Sequence, residues 1–216
     1  MDQKNNNRMV LLLIAGIPVI MILAATWLWY FVVRGDLDLV GALGTANRGE
    51  LVQPPRQMDD LALRDGDGLA LRYQDLEPRW TMLVPSSGAR CDEACEHSLY
   101  LTRQIHVAMG KEFNRLRRIY VSDTAPVDTG LGLAVLSDGH PAPDSFADYL
   151  AAEHRGLKPL LIDADAYGAL FSEQAVDPET WYLVDPAGWI MMSYDSAVPY
   201  KDVISDLKFL LKNSSE

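Results

Sequence analysis

The sequence predicts an α/β domain that follows one N-terminal membrane-spanning helix. Residues 9–33 contain no charged side chain, and about 180 of the 216 residues follow them, enough for a single domain with a buried core. Beyond residue 58, short apolar runs typical of strands alternate with longer stretches that have helical periodicity. Strands and helices that alternate in this way form a central sheet covered on both faces.

The uncharged segment is long enough to cross a membrane. As a helix, residues 9–33 would extend about 37 Å, whereas the hydrocarbon core is about 30 Å thick. Trp27, Trp29 and Tyr30 lie near the end of the segment, where aromatic side chains suit the membrane–water interface. The apolar run is too long for a cleaved signal peptide, so we interpret it as an uncleaved anchor.

Charges beside the anchor predict its orientation. Lys4 and Arg8 precede it and Arg34 follows it, a modest excess of positive charge on the N-terminal side. We therefore expect residues 1–8 to be a cytoplasmic tail. The anchor would cross the inner membrane once and place the following domain in the periplasm.

Composition separates a linker from the folded domain and limits its partners. Residues 34–58 contain four glycines and two prolines without a sustained period, which predicts a linker before a domain over residues 59–216. The chain carries a net charge of −11. An acidic surface repels nucleic acid, so we exclude a nucleic-acid partner.

The last predicted elements of the domain match those at the end of a thioredoxin-like sheet. Residues 181–184 and 189–194 form a hairpin around the turn Asp185-Pro-Ala-Gly, and an amphipathic helix over residues 200–212 follows. An earlier hairpin spans residues 61–71 around an Asp-Gly turn. The remaining predicted strands are residues 80–84, 118–121, 134–136 and 160–163, and the remaining predicted helices are residues 91–109, 146–153 and 167–171.

The two cysteines, Cys91 and Cys95, lie just after the first central strand, at the predicted start of the first long helix. The positive end of a helix dipole favours the thiolate, which attacks disulfides and binds soft metals such as copper. Arg90 favours the thiolate as well, whereas Asp92, Glu93 and Glu96 oppose it. We predict that the pair is the chemical site, with Cys91 as the attacking thiol and Cys95 as the resolving thiol.

A purely structural disulfide is the alternative for this pair. A bridge between Cys91 and Cys95 closes a very small loop, so it removes little conformational entropy from the unfolded chain. We therefore favour a chemical role, while an inert disulfide in a non-catalytic scaffold stays open.

The chain resembles the Sco/SenC family, the membrane-anchored copper proteins of cytochrome c oxidase assembly. Three features carry the resemblance: the Cys-x-x-x-Cys after the first core strand, the segment Val121-Ser-Asp-Thr-Ala-Pro-Val-Asp-Thr, and the segment Trp181-Tyr-Leu-Val-Asp-Pro-Ala-Gly. The similarity covers about residues 50–212. It implies a thioredoxin-like fold, copper as a cofactor held by Cys91 and Cys95, and oxidase subunits or a copper chaperone as partners.

Two positions depart from the Sco pattern. Glu96 stands where Sco proteins usually have proline, and Asp177 lies near the place of their histidine copper ligand. Carboxylate is a poor ligand for Cu(I), which argues against a copper site of the Sco kind. His97 is expected to point away from the cysteine pair and His106 to lie too far along the helix.

Three functions remain open on this sequence. The first is a Sco-like accessory protein for oxidase copper-site assembly, acting through thiol–disulfide exchange or copper at Cys91 and Cys95. The second is a general extracytoplasmic thiol–disulfide oxidoreductase, and the third is the scaffold described above. Pro178, on the loop before the closing hairpin, is either a cis-proline facing the cysteines, as in many thioredoxin folds, or an ordinary trans-proline.

Overall fold

The N-terminal part of the chain is one long helix, α1 (Asp2–Val33), with Pro18 inside it. The computed structural model describes residues 2–33, 47–59, 61–66 and 68–214. Within these ranges, no helix has the length and hydropathy that crossing a membrane requires. The chain divides into two units, Met1–Ala46 and Asn47–Glu216. The part of the expected linker over residues 34–46 lies outside the described residues.

The second unit is built on an eight-stranded mixed sheet. The strands of this sheet are β1 (Glu50–Gln57), β2 (Leu63–Asp65), β3 (Ala70–Leu71), β4 (Trp80–Ser86), β6 (Leu116–Ser122), β8 (Leu157–Leu161), β9 (Trp181–Val184) and β10 (Trp189–Tyr194). Their order in the sheet is β1-β10-β9-β4-β6-β8-β2-β3. Three strands, β4, β6 and β8, run parallel in the centre, and every other neighbouring pair is antiparallel.

A separate two-stranded sheet and four helices complete this unit. The small sheet pairs β5 (Arg90–Cys91) with β7 (Gly130–Leu131) in parallel. Short 3₁₀ turns occur at Tyr73–Asp75, Gly110–Arg115 and Ser172–Ala175. The helices are α2 (Glu93–Ala108), α3 (Phe146–Glu153), α4 (Ala164–Leu170) and α5 (Tyr200–Asn213).

The large sheet separates two hydrophobic cores. Alternate residues of β4 face opposite sides, so Met82 and Val84 belong to one core and Leu83 belongs to the other. The first core includes side chains of α2, α3 and α5, such as Leu99, and the second includes Tyr167 and Leu170 of α4. The prediction of a central sheet covered on both faces is therefore confirmed.

The closing hairpin forms at the predicted residues because its turn chemistry is local. The side chain of Asp185 accepts hydrogen bonds from the backbone N–H groups of Ala187, at 2.9 Å, and Trp189, at 2.8 Å. Gly188 has φ of +88°, a conformation that favours glycine. The helix that follows, α5, begins at the predicted Tyr200.

Two predictions about the strands of the large sheet differ from the structure. Glu50–Gln57, expected in the linker, is edge strand β1, which pairs with β10 through an irregular register between Leu51 and Arg56. Two prolines interrupt this strand, and an edge with a bulge tolerates them because no second neighbour needs their missing donors. Residues 134–136 form no strand, since only Val135 makes an isolated bridge there, to Pro141.

Candidate functional site

Cys91 and Cys95 lie beyond the C-terminal end of β4, at the edge of the sheet where the three parallel strands end. Their sulfurs are joined in a disulfide, with an S–S distance of 2.01 Å and a Cα–Cα distance of 5.2 Å. Ligands and reactive groups of open α/β sheets commonly lie at the carboxyl ends of the strands. The fold thus brings the two predicted site residues together in such a place.

The backbone around Cys91 is held by the small sheet. Its carbonyl oxygen accepts a hydrogen bond from the N–H of Gly132 at 2.8 Å, and the carbonyl of Ala89 accepts one from Gly130 at 2.9 Å. A Cβ atom on Gly132 would lie 2.4 Å from Nε of Arg90, so this contact requires glycine unless the arginine moves. Cys91 therefore belongs to a strand, not to the helix that the sequence predicted to begin there.

Helix α2 begins after Asp92, which caps it. The Asp92 side chain accepts a hydrogen bond from the backbone N–H of Cys95 at 3.1 Å. Cys95 thus lies in the first turn of a 16-residue helix, where the dipole favours a thiolate. The capping Asp92 and the first-turn residues Glu93 and Glu96 are acidic, and their negative charges oppose that effect.

The two cysteines differ in access. Cys91 is fully buried, with 0% of its surface exposed, whereas 6% of Cys95 is exposed. Cys95 also lines a cleft of about 390 Å³, and Cys91 does not. Cys95 is therefore the more accessible of the two sulfurs from the cleft.

The wall of the cleft opposite the helix comes from residues 167–178. Gln174 fixes this wall, because its Nε2 donates to the carbonyl oxygens of Pro85 at 2.9 Å and Thr180 at 3.0 Å. Its Oε1 accepts a hydrogen bond from the hydroxyl of Tyr167. Burial raises the pKa of Tyr167, so the hydroxyl stays protonated at neutral pH. The other lining residues are Ser86, Ser87, Arg90, Asp92, Gly168, Phe171, Ser172, Ala175 and Pro178.

Glu96, which stands where Sco proteins usually have proline, has a structural role. Its carboxylate is only 2% exposed. It accepts hydrogen bonds from the backbone N–H of Ser137 at 3.2 Å, from the Ser137 hydroxyl, and from the Tyr149 hydroxyl at 3.1 Å. The residue after Cys95 therefore ties α2 to α3 and to the loop that precedes it. Burial and the neighbouring Glu96 raise the pKa of Tyr149.

Asp177 does not face the disulfide. Its Oδ2 accepts hydrogen bonds from the backbone N–H of Ser196 at 2.8 Å and from the Ser196 hydroxyl at 2.6 Å, and its Oδ1 accepts one from Glu179. Burial acts to raise the pKa of Asp177, but the donors from Ser196 and Glu179 outweigh it and lower the pKa. It lines a different depression and is not among the residues of the cleft.

Among the described residues that line the cleft there is no histidine. Nδ1 of His97 lies 2.8 Å from Oε2 of Glu179, which holds the ring against the loop before the closing hairpin. Nε2 of His106 forms a hydrogen bond with the carbonyl oxygen of Phe113, and His140 lies beside Asp138. Nδ1 of His154 accepts a hydrogen bond from Arg118 in the buried core.

The donor set does not fit a copper site with a third ligand. The described residues contain no group of three or more His, Cys, Asp or Glu side chains placed to hold a metal. Reduction would free two thiols at Cys91 and Cys95, and the cleft offers no imidazole beside them. Two sulfurs are sufficient for thiol–disulfide chemistry, whereas a copper site with a histidine ligand would need a third donor that the described lining of the cleft does not contain.

Pro178 lines the cleft, and the peptide bond that precedes it is trans. In the described residues the one cis peptide bond joins Gln53 and Pro54 in the edge strand β1. The question that the sequence left open at Pro178 is thereby answered in favour of a trans-proline. Its carbonyl oxygen accepts a hydrogen bond from Nε2 of Gln174 at 3.4 Å.

A family model described as transmembrane-like, thioredoxin-like, C-terminal domain matches residues 80–214. The chain belongs to this family. The match contains the disulfide, the cleft and every parallel strand, so the predicted thioredoxin-like fold is confirmed for the part that carries the site. No curated protein matches the chain.

Solved structures of Sco proteins have the same fold. The yeast Sco1 structure with copper bound is 16% identical, with a TM-score of 0.52, and the match covers 80% of this chain and 97% of that one. Arabidopsis thaliana ScoI with copper bound is 13% identical, with a TM-score of 0.50, and the match covers 77% and 99% of the two chains. The resemblance to Sco proteins is confirmed at the level of the fold.

The sequence analysis found the cysteines and missed the wall of the cleft. Gln174 and Tyr167 lie about 80 positions beyond the cysteines, and no motif joins them to the pair. The sequence gives one indication of their role. Both residues precede the closing hairpin, where this fold brings a loop back towards helix α2.

Proposed function

We propose that this protein is a Sco-like accessory protein for cytochrome c oxidase copper-site assembly that acts by thiol–disulfide exchange. The observation that supports it best is the position of Cys95, which is bonded to a buried Cys91 and lines a cleft beyond the C-terminal ends of the parallel strands. Its fold is that of Sco proteins, two of which were solved with copper bound. The donor set of this chain favours exchange over holding the metal.

The exchange reaction uses the difference in access between the two sulfurs. In the reduced protein, the Cys95 thiolate attacks one sulfur of a client disulfide and forms a mixed disulfide, while the client's other sulfur leaves as a thiolate. The Cys91 thiolate then attacks the Cys95 sulfur and releases the second client thiolate. Two electrons pass to the client, and the Cys91–Cys95 disulfide is restored. An external dithiol donor returns the protein to its reduced form.

This direction suits a client that must bind copper. Cysteine ligates copper as a thiolate, so an oxidised pair in a copper site has to be reduced before the metal enters. A general extracytoplasmic oxidoreductase remains the second candidate, because the cleft and disulfide alone select no particular client. The mixed polar and apolar lining of the cleft suits an extended polypeptide segment that carries cysteines.

We also propose that residues 9–33 anchor the chain in the inner membrane, with the tail of residues 1–8 in the cytoplasm and the domain in the periplasm. The support is the absence of charge over this segment, the continuous helix α1, and exposed apolar side chains on it such as Ile20 and Met21. Alkaline extraction of membranes should leave the full chain in the pellet. Protease added to spheroplasts should degrade the domain. Release into the supernatant would contradict the anchor, and a protected domain would contradict the orientation.

Two measurements on the reduced full chain in a non-ionic detergent distinguish thiol–disulfide exchange from copper binding. The first mixes it with an oxidised probe peptide that contains a Cys-x-x-x-Cys disulfide, and follows both partners by alkylation and mass spectrometry. We expect one peptide to be reduced for each protein oxidised, and no transfer with the Cys91→Ser, Cys95→Ser double variant. The second titrates Cu(I), and we expect no tight stoichiometric site.

Each result decides between the candidates. Tight copper binding that the double variant loses would replace exchange by a metallochaperone function. No transfer and no copper binding would leave the inert scaffold. Cells that carry only the double variant test the link to the oxidase. If the unsubstituted protein transfers electrons to the peptide but these cells have normal oxidase activity, the general oxidoreductase is favoured over the assembly function.

A further inference from the structure

A second cleft lies at the opposite end of the central strands. It has a volume of about 550 Å³ and lies where β4, β6 and β8 begin, next to the C-terminal ends of α2 and α3. The seven residues of β4 separate this end from the disulfide by about 20 Å. Five arginines line it in a chain whose net charge is −11: Arg79, Arg103, Arg117, Arg118 and Arg155.

Carboxylates neutralise only two of these arginines. Nη1 of Arg103 lies 2.6 Å from Glu153 and its Nη2 lies 3.5 Å from Asp138, and Nη2 of Arg79 lies 2.6 Å from Glu77. Within the described part of the chain, the other three make no ion pair: Arg117, Arg118 and Arg155. The cleft therefore has an excess of positive charge that the protein itself does not balance.

Arg118 carries the strongest argument because it is buried. Only 4% of it is exposed, and its Nη1 donates to Nδ1 of His154 at 3.0 Å, a neutral partner. Burial and the neighbouring Arg103 lower the pKa of Arg118 to about 10, so it keeps its charge at neutral pH. A buried charge without a counter-charge is costly, and an anion in the cleft would supply one.

Arg155 provides a further donor, because its exposed side chain lies on the rim of the cleft. Arg117 points to the other face of the sheet, since neighbouring residues of a strand alternate in direction. Its Nε donates to the Thr81 hydroxyl at 2.7 Å, and its guanidinium lies 4.8 Å from the ring centroid of Tyr73, a residue of the second core. The groups available to a ligand are therefore the buried guanidinium of Arg118 and the exposed guanidinium of Arg155.

Capping of helix ends explains only part of this cluster. Positive side chains commonly neutralise the carbonyl ends of helices, and Arg103 does so by donating to the carbonyl of Glu153 at 2.8 Å. Arg118 donates to an imidazole instead. The unbalanced charge of Arg118 therefore needs another explanation.

We propose that this cleft binds a phosphate group, either of a small soluble compound or of a lipid headgroup. The planar fork of a guanidinium matches two oxygens of a phosphate, and a doubly charged anion would balance Arg118 together with Arg155. A volume of about 550 Å³ accommodates more than the phosphate itself. The site is separate from the disulfide and does not depend on the function proposed for it.

Thermal unfolding of the full chain in non-ionic detergent tests the site, because a ligand that binds the folded state raises its melting temperature. Inorganic phosphate is the first probe, titrated at constant ionic strength. Micelles with increasing phosphatidylglycerol are the second. The variants are Arg155→Gln, which changes an exposed side chain, and Arg118→Met, which replaces the buried charge by an apolar chain of similar length. Arg48→Gln removes the same charge elsewhere on the surface and is the matched control.

We expect a saturable rise in melting temperature that Arg48→Gln retains and that Arg155→Gln shifts to about tenfold higher ligand concentration, the effect of losing one charge-assisted hydrogen bond. A response to phosphate identifies a soluble ligand, and a response to the micelles alone identifies a lipid headgroup. No saturable rise with either probe would overturn the proposal, as would an equal response in Arg155→Gln and Arg48→Gln. If Arg118→Met does not fold, Arg155→Gln still decides the question.

Discussion

Cys95 lines the cleft at the carboxyl ends of the parallel strands, while Cys91, to which its sulfur is bonded, is completely buried behind it. The difference arises because Cys91 belongs to strand β5 and Cys95 to the first turn of α2, with the capping residue Asp92 between the two elements. In the proposed exchange, a partner thiol therefore meets the pair through Cys95. The two cysteines have different tasks in the proposed exchange.

The first prediction concerns which single-cysteine variant captures a partner. Cys91→Ser leaves the accessible thiol without its resolving partner, so a mixed disulfide with an oxidised probe peptide should accumulate. Cys95→Ser leaves only the buried thiol and should trap at least tenfold less. Non-reducing electrophoresis and mass spectrometry measure both adducts. Equal trapping, or more with Cys95→Ser, would restore Cys91 as the attacking thiol.

The second prediction concerns the charge of the helix cap. Asp92→Asn keeps a good capping side chain at the start of α2 but removes a negative charge next to Cys95. The loss of this charge favours the thiolate form of Cys95. The reduced form becomes more stable, so the reduction potential should become less negative by about 10–20 mV, the equivalent of about 0.5–1 kcal/mol. Equilibration with glutathione buffers measures the potential.

Glu77→Gln is the matched control for the potential. It removes the same charge from an exposed residue before β4, at the other end of the sheet from the disulfide, and should leave the potential unchanged. A shift of the same size in both variants would indicate a general effect of net charge. A shift to more negative values in Asp92→Asn would refute the role given to the cap.

The third prediction concerns Glu96, the buried carboxylate next to Cys95. Glu96→Ala leaves the donors of Ser137 and Tyr149 without an acceptor, and should lower the free energy of unfolding by about 2–4 kcal/mol. Glu93→Ala, at an exposed position in the same helix turn, should cost less than about 1 kcal/mol. Urea unfolding of the oxidised proteins compares them. Similar losses would mean that Glu96 does not hold α2 to its neighbours.

The fourth prediction concerns stability at low pH. Burial, with the nearby Arg118 and Arg103, lowers the pKa of His154 from 6.5 to about 3. Between these values the unfolded chain binds a proton that the folded protein does not, so stability is complete above pH 6.5 and falls as the pH decreases. From pH 7.5 to pH 5, this residue should cost about 2 kcal/mol of unfolding free energy.

The variant His154→Gln isolates that effect. Glutamine keeps an acceptor for Arg118 and does not titrate, so its unfolding free energy should fall by about 2 kcal/mol less than that of the unsubstituted protein over the same range. Urea titrations at the two pH values provide the comparison. Parallel losses in both proteins would show that His154 is not the group responsible.

Local chemistry explains which elements the sequence predicts well. The closing hairpin follows from Asp185 and Gly188, whose side-chain hydrogen bonds and positive φ form the turn without help from distant residues. The boundaries of α3, Phe146–Glu153, match the prediction because Ser145 caps the helix. Such signals lie within a few residues of the structure that they determine.

Long-range pairing explains what the sequence does not reveal. Cys91 was expected in a helix, but the hydrogen bond from Gly132 to its carbonyl holds it in a strand with a partner about 40 residues away. Likewise, β1 contains two prolines and has no strand period, and it forms because β10 offers it an edge. The walls of both clefts come from residues that only the tertiary fold brings together.

The central claim is that Cys91 and Cys95 form an exchangeable disulfide, and the reduction potential of the pair tests it most directly. The full chain is equilibrated with dithiothreitol buffers of known potential, and the reduced fraction is measured by alkylation. We predict a reversible two-electron transition between about −300 and −120 mV, the range of exchange proteins. A disulfide that remains oxidised well below −300 mV, as structural disulfides do, would contradict the account.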